Sequence, residues 1–366
     1  MSQKYLDLAG LTAYDTKIKT WSKTSIVDIT DDAINSLFVI STDGPWVTFT
    51  AQEDNSSIGL NMLSPNQTLE YSTDTTIWNT FDTTTNISIN NGDKMYVRGM
   101  LNVDNDRYGN YSQFKMSGKI AASGNCNAIW NYQDLNAPLK NFCGYYMFKD
   151  CTSLTAAPEL PATTLADSCY EYIFSGCTSL TAAPELPATT LTGYCYSGMF
   201  YGCTSLSTAP ELPATTLTES CYSSMLNGCS SLTTAPELPA TTLADSCYRY
   251  MFYGCTSLST APELPATTLA NNCYQYMFRN CTSLTTAPEL PATKLTSYCY
   301  RYMFYGCSNL NYIKCLATDV STDNRTITTN WTKGVSSTGT FFKHSNAMWW
   351  SVGVNGIPSD WTIIDA

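Results

Sequence analysis

Between Cys143 and Cys307 the chain states one phrase six times and begins it a seventh. One cysteine column falls at Cys143, Cys169, Cys195, Cys221, Cys247, Cys273 and Cys299, and a second at Cys151, Cys177, Cys203, Cys229, Cys255, Cys281 and Cys307; every step in both is 26 residues. Around them runs Cys-Tyr-x-x-Met-Phe-x-x-Cys-Thr-Ser-Leu-Thr-x-Ala-Pro-Glu-Leu-Pro-Ala-Thr-Thr-Leu. A fixed period of this length specifies a solenoid, in which each unit buries its apolar face on its neighbours. No unit can fold alone. Each offers only a few core candidates, such as Leu180, Leu186, Leu191, Cys195, Met199 and Phe200. Burial stabilises by roughly 1.5–3 kcal/mol per large apolar side chain, while ordering the backbone costs about 1–2 kcal/mol per residue. Stacking must supply the difference.

Sixteen cysteines suggest disulfides, but their spacing argues for free thiols. Each column holds an odd number, seven, so pairing within a column is incomplete. The columns lie eight residues apart within a unit; if that stretch is helical the Cα atoms are about 12 Å apart, beyond the ~7 Å reach of a bridge. Buried thiols acting as small hydrophobes fit better. Zinc is the alternative, weakened by the lack of Cys-x-x-Cys and by a single histidine, His344, outside the repeats.

The recurring Phe-x-x-Cys-x-x-Leu, seen at Phe148, Cys151 and Leu154, at Phe174, Cys177 and Leu180, and at Phe304, Cys307 and Leu310, resembles BspA-type leucine-rich repeats of bacterial surfaces and phage proteins. The resemblance implies a right-handed solenoid with a short strand and a helical or turn segment per unit. This chain departs where Ala-Pro-Glu-Leu-Pro follows the Leu, because proline donates nothing to a ladder. The strand should therefore end near Ala157. The stretch Ala166–Phe174 is expected to be a short helix, with Cys169 and Ile173 one turn apart on one face.

Four regions follow. Residues 1–34 form an attachment segment in which Leu11, Tyr14, Ile18 and Trp21 are spaced as a helical seam for assembly or oligomerisation. This stretch resembles the Leu-Asp-x-x-Gly-Leu…Lys-Ile-Lys tag of tailed-phage structural proteins. Residues 35–122 read as a β-sandwich with strands at 37–41, 46–51, 69–72, 87–89, 94–100 and 114–120, and Trp78, Tyr96 and Val97 as core. Residues 123–316 are the solenoid, opened by a cap bearing Cys126 and Trp130 and ending on a last rung at Cys315 and Leu316. The tail 317–366, with Trp331, Phe341, Phe342, Trp349, Trp350 and Trp361, is expected to cover its open end.

Composition narrows the function. Net charge is −11 and charged residues make up 13% of the chain, which offers no basic face for nucleic acid. No apolar run reaches the length of a membrane span, and no signal-peptide pattern opens the chain. The motifs of nucleophilic catalysis and phosphate cradling are missing, and no cofactor is implied. Glu159, Glu185, Glu211, Glu237, Glu263 and Glu289 recur once per unit and should fan into solvent; six equivalent carboxylates do not provide the unlike pair of a glycosidase.

Variation between units gathers in the triplet before the first cysteine, in the pair after Cys-Tyr and in the pair before the second cysteine. Such drift is expected to face solvent. Later units enrich these places in Tyr and Arg, which are favoured at binding hot spots, and rigid aromatics also suit stacking on sugar faces. The recognition surface is therefore placed on Arg249, Tyr250, Tyr253, Tyr276, Arg279, Arg301, Tyr302 and Tyr305. The reading that results is a non-enzymatic virion protein of a tailed phage, a fibre or receptor-binding subunit assembled in the host cytoplasm. It would attach to other virion proteins through its N-terminal segment, or trimerise through the helical seam, and would meet a host glycan or protein through the solenoid. A bacterial cell-surface adhesin is the alternative, and an enzyme acting on surface polysaccharide a third.

Overall fold

The computed structural model describes residues 44–320 and 327–365. The seam of Leu11, Tyr14, Ile18 and Trp21 and the strand expected at 37–41 lie outside the described residues.

The chain first builds two antiparallel sheets from β1 (Val47–Ala51), β2 (Ser56–Met62), β3 (Gln67–Ser72), β4 (Asn79–Thr80), β5 (Asn86–Ile89), β6 (Lys94–Leu101), β7 (Gln113–Ser117) and β8 (Ile120–Ser123). One sheet runs β4-β3-β6-β1-β8 and the other β5-β2-β7. Their inner faces meet through Phe49 and Phe114, whose ring centroids are 5.2 Å apart. The expected strand 114–120 is in fact two strands in different sheets, because Gly118 takes a φ of 73° and breaks the run. The central strand β2 escaped the sequence reading: Ser56, Ser57, Gly59 and Asn61 mask its buried Ile58 and Leu60.

Trp78 and Tyr96 are not core, a second correction. Along β6, Met95, Val97 and Leu101 point inward, so Tyr96 and Arg98 must point out. There Arg98 lies over Trp78 at 3.9 Å and over Tyr132 at 4.3 Å, and its Nε donates to Glu70 at 2.8 Å. A one-turn helix, α1 (Ala128–Asn131), rests against β6 at Gly99, where a Cβ would stand 2.5 Å from the Ile129 carbonyl oxygen. Cys126, just before it, and Trp130, within it, are buried, and the Trp130 ring lies 5.8 Å from Tyr170.

The repeats form coils, each hydrogen-bonded to the next. The expected helix at 166–174 is absent; a ribbon of successive turns stands in its place. Within the coil, Cys169, Glu171, Ile173, Ser175 and Cys177 donate N–H bonds three residues back, at 3.1–3.3 Å. The alternate residues Tyr170, Tyr172, Phe174 and Gly176 donate instead to Cys195, Ser197, Met199 and Tyr201 of the following coil, at 2.7–3.1 Å. Ser168, Tyr172 and Gly176 carry φ values of 53°, 55° and 75°. A left-handed residue at every fourth position excludes an α-helix. Cys169 and Ile173 still share the interior, because the ribbon also repeats every four residues.

Strand is scarce in the repeats, as the prolines require. β9 (Leu154–Ala156) pairs in parallel with β8 and stops before Pro158. Later coils make single parallel bridges, such as Ala182 with Thr208 and Thr234 with Thr260. Short parallel pairs follow at the far end: β10 (Lys294–Leu295), β11 (Tyr312–Cys315), β12 (Asp319–Val320), β13 (Thr340–Lys343) and β14 (Thr362–Asp365). β10 pairs with β12, and β11, β13 and β14 form one sheet. The turn ribbon does not stop at Cys315 and Leu316. Tyr302, Phe304 and Gly306 donate to Thr329, Trp331 and Lys333, so residues from 327 onward form a further coil. Trp331 is wholly buried there, its ring stacked on Tyr300 and on Trp350.

The interior is a set of ladders. Tyr170, Tyr196, Tyr222, Tyr248, Tyr274 and Tyr300 stack at centroid spacings of 5.9–6.2 Å. All sixteen cysteines are buried and free. The second column donates its thiols to the preceding coil: Cys177 to the Phe148 carbonyl at 3.1 Å, Cys203 to Phe174 at 3.1 Å and Cys307 to Phe278 at 2.9 Å. Burial pushes Cys221 up to about 11 and Cys203, Cys255 and Cys307 up to about 12.

Two outcomes follow. A thiol reagent at neutral pH should find almost no reactive cysteine in the native protein and about sixteen after denaturation. These thiols ionise more easily unfolded, near pH 8.5. Their stabilisation is therefore complete below that pH and is lost as pH rises toward the folded values of about 11 and 12. Melting temperature should be flat from neutrality to about pH 8.5 and fall steeply above it.

Candidate recognition surface

Three columns of the ribbon carry the residues that differ between coils. In the coils beginning at Cys247, Cys273 and Cys299, the first column reads Arg249, Gln275, Arg301, the second Tyr250, Tyr276, Tyr302, and the third Tyr253, Arg279, Tyr305. All eight residues chosen from the sequence are partly exposed, and they form one connected patch. Tyr276 lies between Tyr250 and Tyr302, at centroid distances of 4.4 and 4.8 Å and interplanar angles of 10° and 3°. Tyr253 leans edge-on against Tyr250, and Tyr305 tilts against Tyr302.

The guanidiniums pack among these rings. Arg279 is 5.4 Å from the centroid of Tyr253, 5.6 Å from Tyr276, 5.7 Å from Tyr302 and 4.5 Å from Tyr305. Arg249 covers Tyr250, and Arg301 lies near Tyr298 and Tyr302. None of the ion pairs among the described residues engages these three arginines. Their Nε atoms are buried without a hydrogen-bond partner, an arrangement that costs about 1–3 kcal/mol per bare group.

The further coil adds residues that the sequence reading missed. Lys333 sits 5.7 Å from the Tyr305 ring and extends the third column. Asn330 donates its amide to the Tyr302 hydroxyl at 3.3 Å; that bond, helped by Arg301, pulls the Tyr302 phenol below its usual range. Burial, then Tyr250, pushes the Tyr276 phenol up despite Arg301. Lys333 follows Tyr305 by 28 residues rather than 26, so a strict period could not find it.

Not every variable position faces solvent. Glu171 is 5% exposed and Gln275 3%, and Ser175 and Ser197 are also buried. Glu171 is covered by Arg107, whose Nη2 donates to its carboxylate at 3.0 Å. Burial lifts the Glu171 carboxyl above its usual range, with Arg107 opposing. The acidic line behaves as expected: all six glutamates from Glu159 to Glu289 are exposed, and the last pairs with Lys314 at 2.9 Å.

The repeat geometry matches a known family. The model of the BspA type leucine rich repeat region matches in six copies, over residues 132–251 and 237–330, more than half of the chain. The chain belongs to the BspA-type leucine-rich repeat family. No curated protein and no solved structure matches it. The BspA-type match ends at residue 330, inside the further coil, so the coils that carry the Tyr and Arg residues all lie within it. Repeats of this family are in general binding scaffolds rather than enzymes. Among the described residues no group of three or more His, Cys, Asp or Glu could hold a metal ion.

Backbone strain sharpens the choice of residues. Tyr250, Tyr276 and Tyr302 have φ values of 59°, 61° and 55°. The same column holds Gly198 in an earlier coil, and glycine adopts this conformation without a Cβ penalty. A left-handed side-chain-bearing residue costs roughly 1–2 kcal/mol, while each aromatic pair returns about 0.5–1.5 kcal/mol. The tyrosines therefore add little net stability over glycine. Tyr276→Ala, which loses the stack and keeps the strain, should destabilise by about 1–3 kcal/mol, and Tyr276→Gly by roughly 1 kcal/mol less. Denaturant titration of the two variants checks this.

Proposed function

We propose that the protein is a non-enzymatic display subunit, a right-handed solenoid that presents its Tyr–Arg face to a host glycan or protein. Membership of the BspA-type family supports an adhesin-like, surface-binding role. The observation that carries the reading is the connected patch in the coils from Cys247 onward: three stacked tyrosines at left-handed positions, with three arginines packed among the rings. Backbone strain of this kind clusters at sites that bind.

The finer proposal is a fibre or receptor-binding subunit of a tailed-phage virion. Its support is the resemblance of the N-terminal segment to phage structural tags. In this reading Leu11, Tyr14, Ile18 and Trp21 join the chain to other virion proteins or to two further copies. The second reading, a bacterial cell-surface adhesin, is favoured by the family match. Either way the stack displays and the divergent columns bind.

The two are separated by mass spectrometry of purified particles and of cell-envelope fractions. The virion reading expects the polypeptide in particles at fixed copy number; its presence only in envelopes supports the adhesin. The shared binding role is tested on whole host cells with labelled protein. Wild type should bind, and Tyr276→Gly should bind at least about tenfold more weakly while retaining its fold, as a hot-spot residue would. Equal binding by both would remove the Tyr–Arg face from the mechanism.

A further inference from the structure

Resting on the recognition role just proposed, we infer that the Tyr–Arg face takes an acidic polysaccharide, held through its carboxylate or sulfate groups rather than by stacking on sugar faces. The ring geometry comes first. Tyr276 has both faces covered, by Tyr250 and Tyr302 at 4.4 and 4.8 Å. The middle ring of the near-parallel stack therefore offers no face to an apolar sugar, and each end ring has one face taken by Tyr276.

What the patch does offer is hydrogen-bond donors. Arg249, Arg279 and Arg301 each carry five N–H groups in a planar fork suited to anionic oxygens. Lys333 adds an ammonium, and Tyr302 a phenol held by Asn330. The other described arginines are neutralised: Arg98 by Glu70 and Arg107 by Glu171. Among the described residues the three on this face have no carboxylate partner, in a chain whose net charge is −11. Three such guanidiniums, one per coil over three successive coils, make a local cationic strip. Screening confines long-range repulsion from the remaining acids to about 8–10 Å at ordinary salt, so the strip acts locally on a chain laid along it.

The strip also has the form of a polymer site. Its cations recur along the stack, from Arg249 through Arg279 and Arg301 to Lys333, so a chain with regularly spaced acidic groups meets one donor set per coil. A single small anion would use one of these sets and leave the rest bare.

The test uses the full purified chain and four polymers: polygalacturonate, dextran sulfate, neutral dextran and single-stranded oligothymidylate. The expected result is binding to one or both acidic polysaccharides, with the two arms identifying carboxylate or sulfate. Neutral dextran and the oligonucleotide should not bind. Affinity should fall roughly tenfold or more between 50 and 200 mM salt, as displacement of about three counterions requires. Arg279→Gln with Arg301→Gln should weaken binding at least tenfold while an unchanged circular dichroism spectrum shows the fold retained, and Arg98→Gln, outside the strip, should leave binding unaltered. Cell binding without acidic-polysaccharide binding would overturn this inference and leave the recognition role standing. Equal binding of dextran, or of the oligonucleotide, would also overturn it. Loss of both cell and polymer binding in the wild type would remove the recognition role as well.

Discussion

Every second N–H of the turn ribbon leaves its own coil, and the rest of the molecule follows from that division. A helix satisfies its donors internally and a strand gives them to a neighbour. This ribbon does both by turns, so a lone coil would expose half its donors on one side and the matching carbonyls on the other. The first coil therefore needs a template. The sandwich provides it: Phe114 of β7 donates its N–H to Met147 at 2.8 Å, stacks its ring on Phe148 at 5.1 Å, and offers its carbonyl to the Cys151 thiol. Those are the contacts that Phe148 makes one coil later, with Ile173, Phe174 and Cys177. The sandwich is thus not only a spacer. One of its strands acts as a coil preceding the first, and the six-stranded sheet runs on into β9.

The same division explains the cysteines. The Phe148 carbonyl accepts the Cys151 N–H within its coil and the Cys177 thiol from the next. Alanine would give up the second contact and leave a void, which a packed core resists. Serine would bring a hydroxyl that is costlier to bury if its geometry fails. A thiol is small, apolar and still a weak donor. Repeated at each coil, the choice makes columns of like residues, and the interior tyrosines and phenylalanines form parallel ladders for the same reason.

Much of this was legible in the sequence. The period gave the stack, the prolines gave the brevity of the strands, and the six core candidates are buried. The ribbon itself was misread. The position before the second cysteine runs Asp150, Gly176, Gly202, Gly228, Gly254, Asn280 and Gly306, and by sequence alone it reads as surface drift. Those are the residue types that tolerate a left-handed backbone, and all seven have positive φ. The signal was present as a conformational constraint, and a helical period of nearly four obscured it. The residues of the Tyr–Arg face were legible as divergence between units, but their mutual contacts were not. Lys333 and Asn330 escaped because a two-residue insertion shifts the last coil out of register.

The arrangement of charge on the Tyr–Arg face has its own logic. Identical residues in successive coils stand about as far apart as the stacked rings. Two unit charges 5 Å apart repel by roughly 1 kcal/mol even in water, and by several times that where the effective dielectric is lower. A column of arginines would therefore oppose the stacking that makes the fold. The chain avoids this: Gln275 separates Arg249 from Arg301 in one column, and Tyr305 separates Arg279 from Lys333 in another. Each cation lies against aromatic rings, where attraction of about 0.5–2 kcal/mol offsets part of the cost of gathering like charges. A uniform core obliges every coil to resemble its neighbour, so divergence is left to the columns nearest the surface. In those columns, alternation lets successive coils carry charge without pushing one another apart.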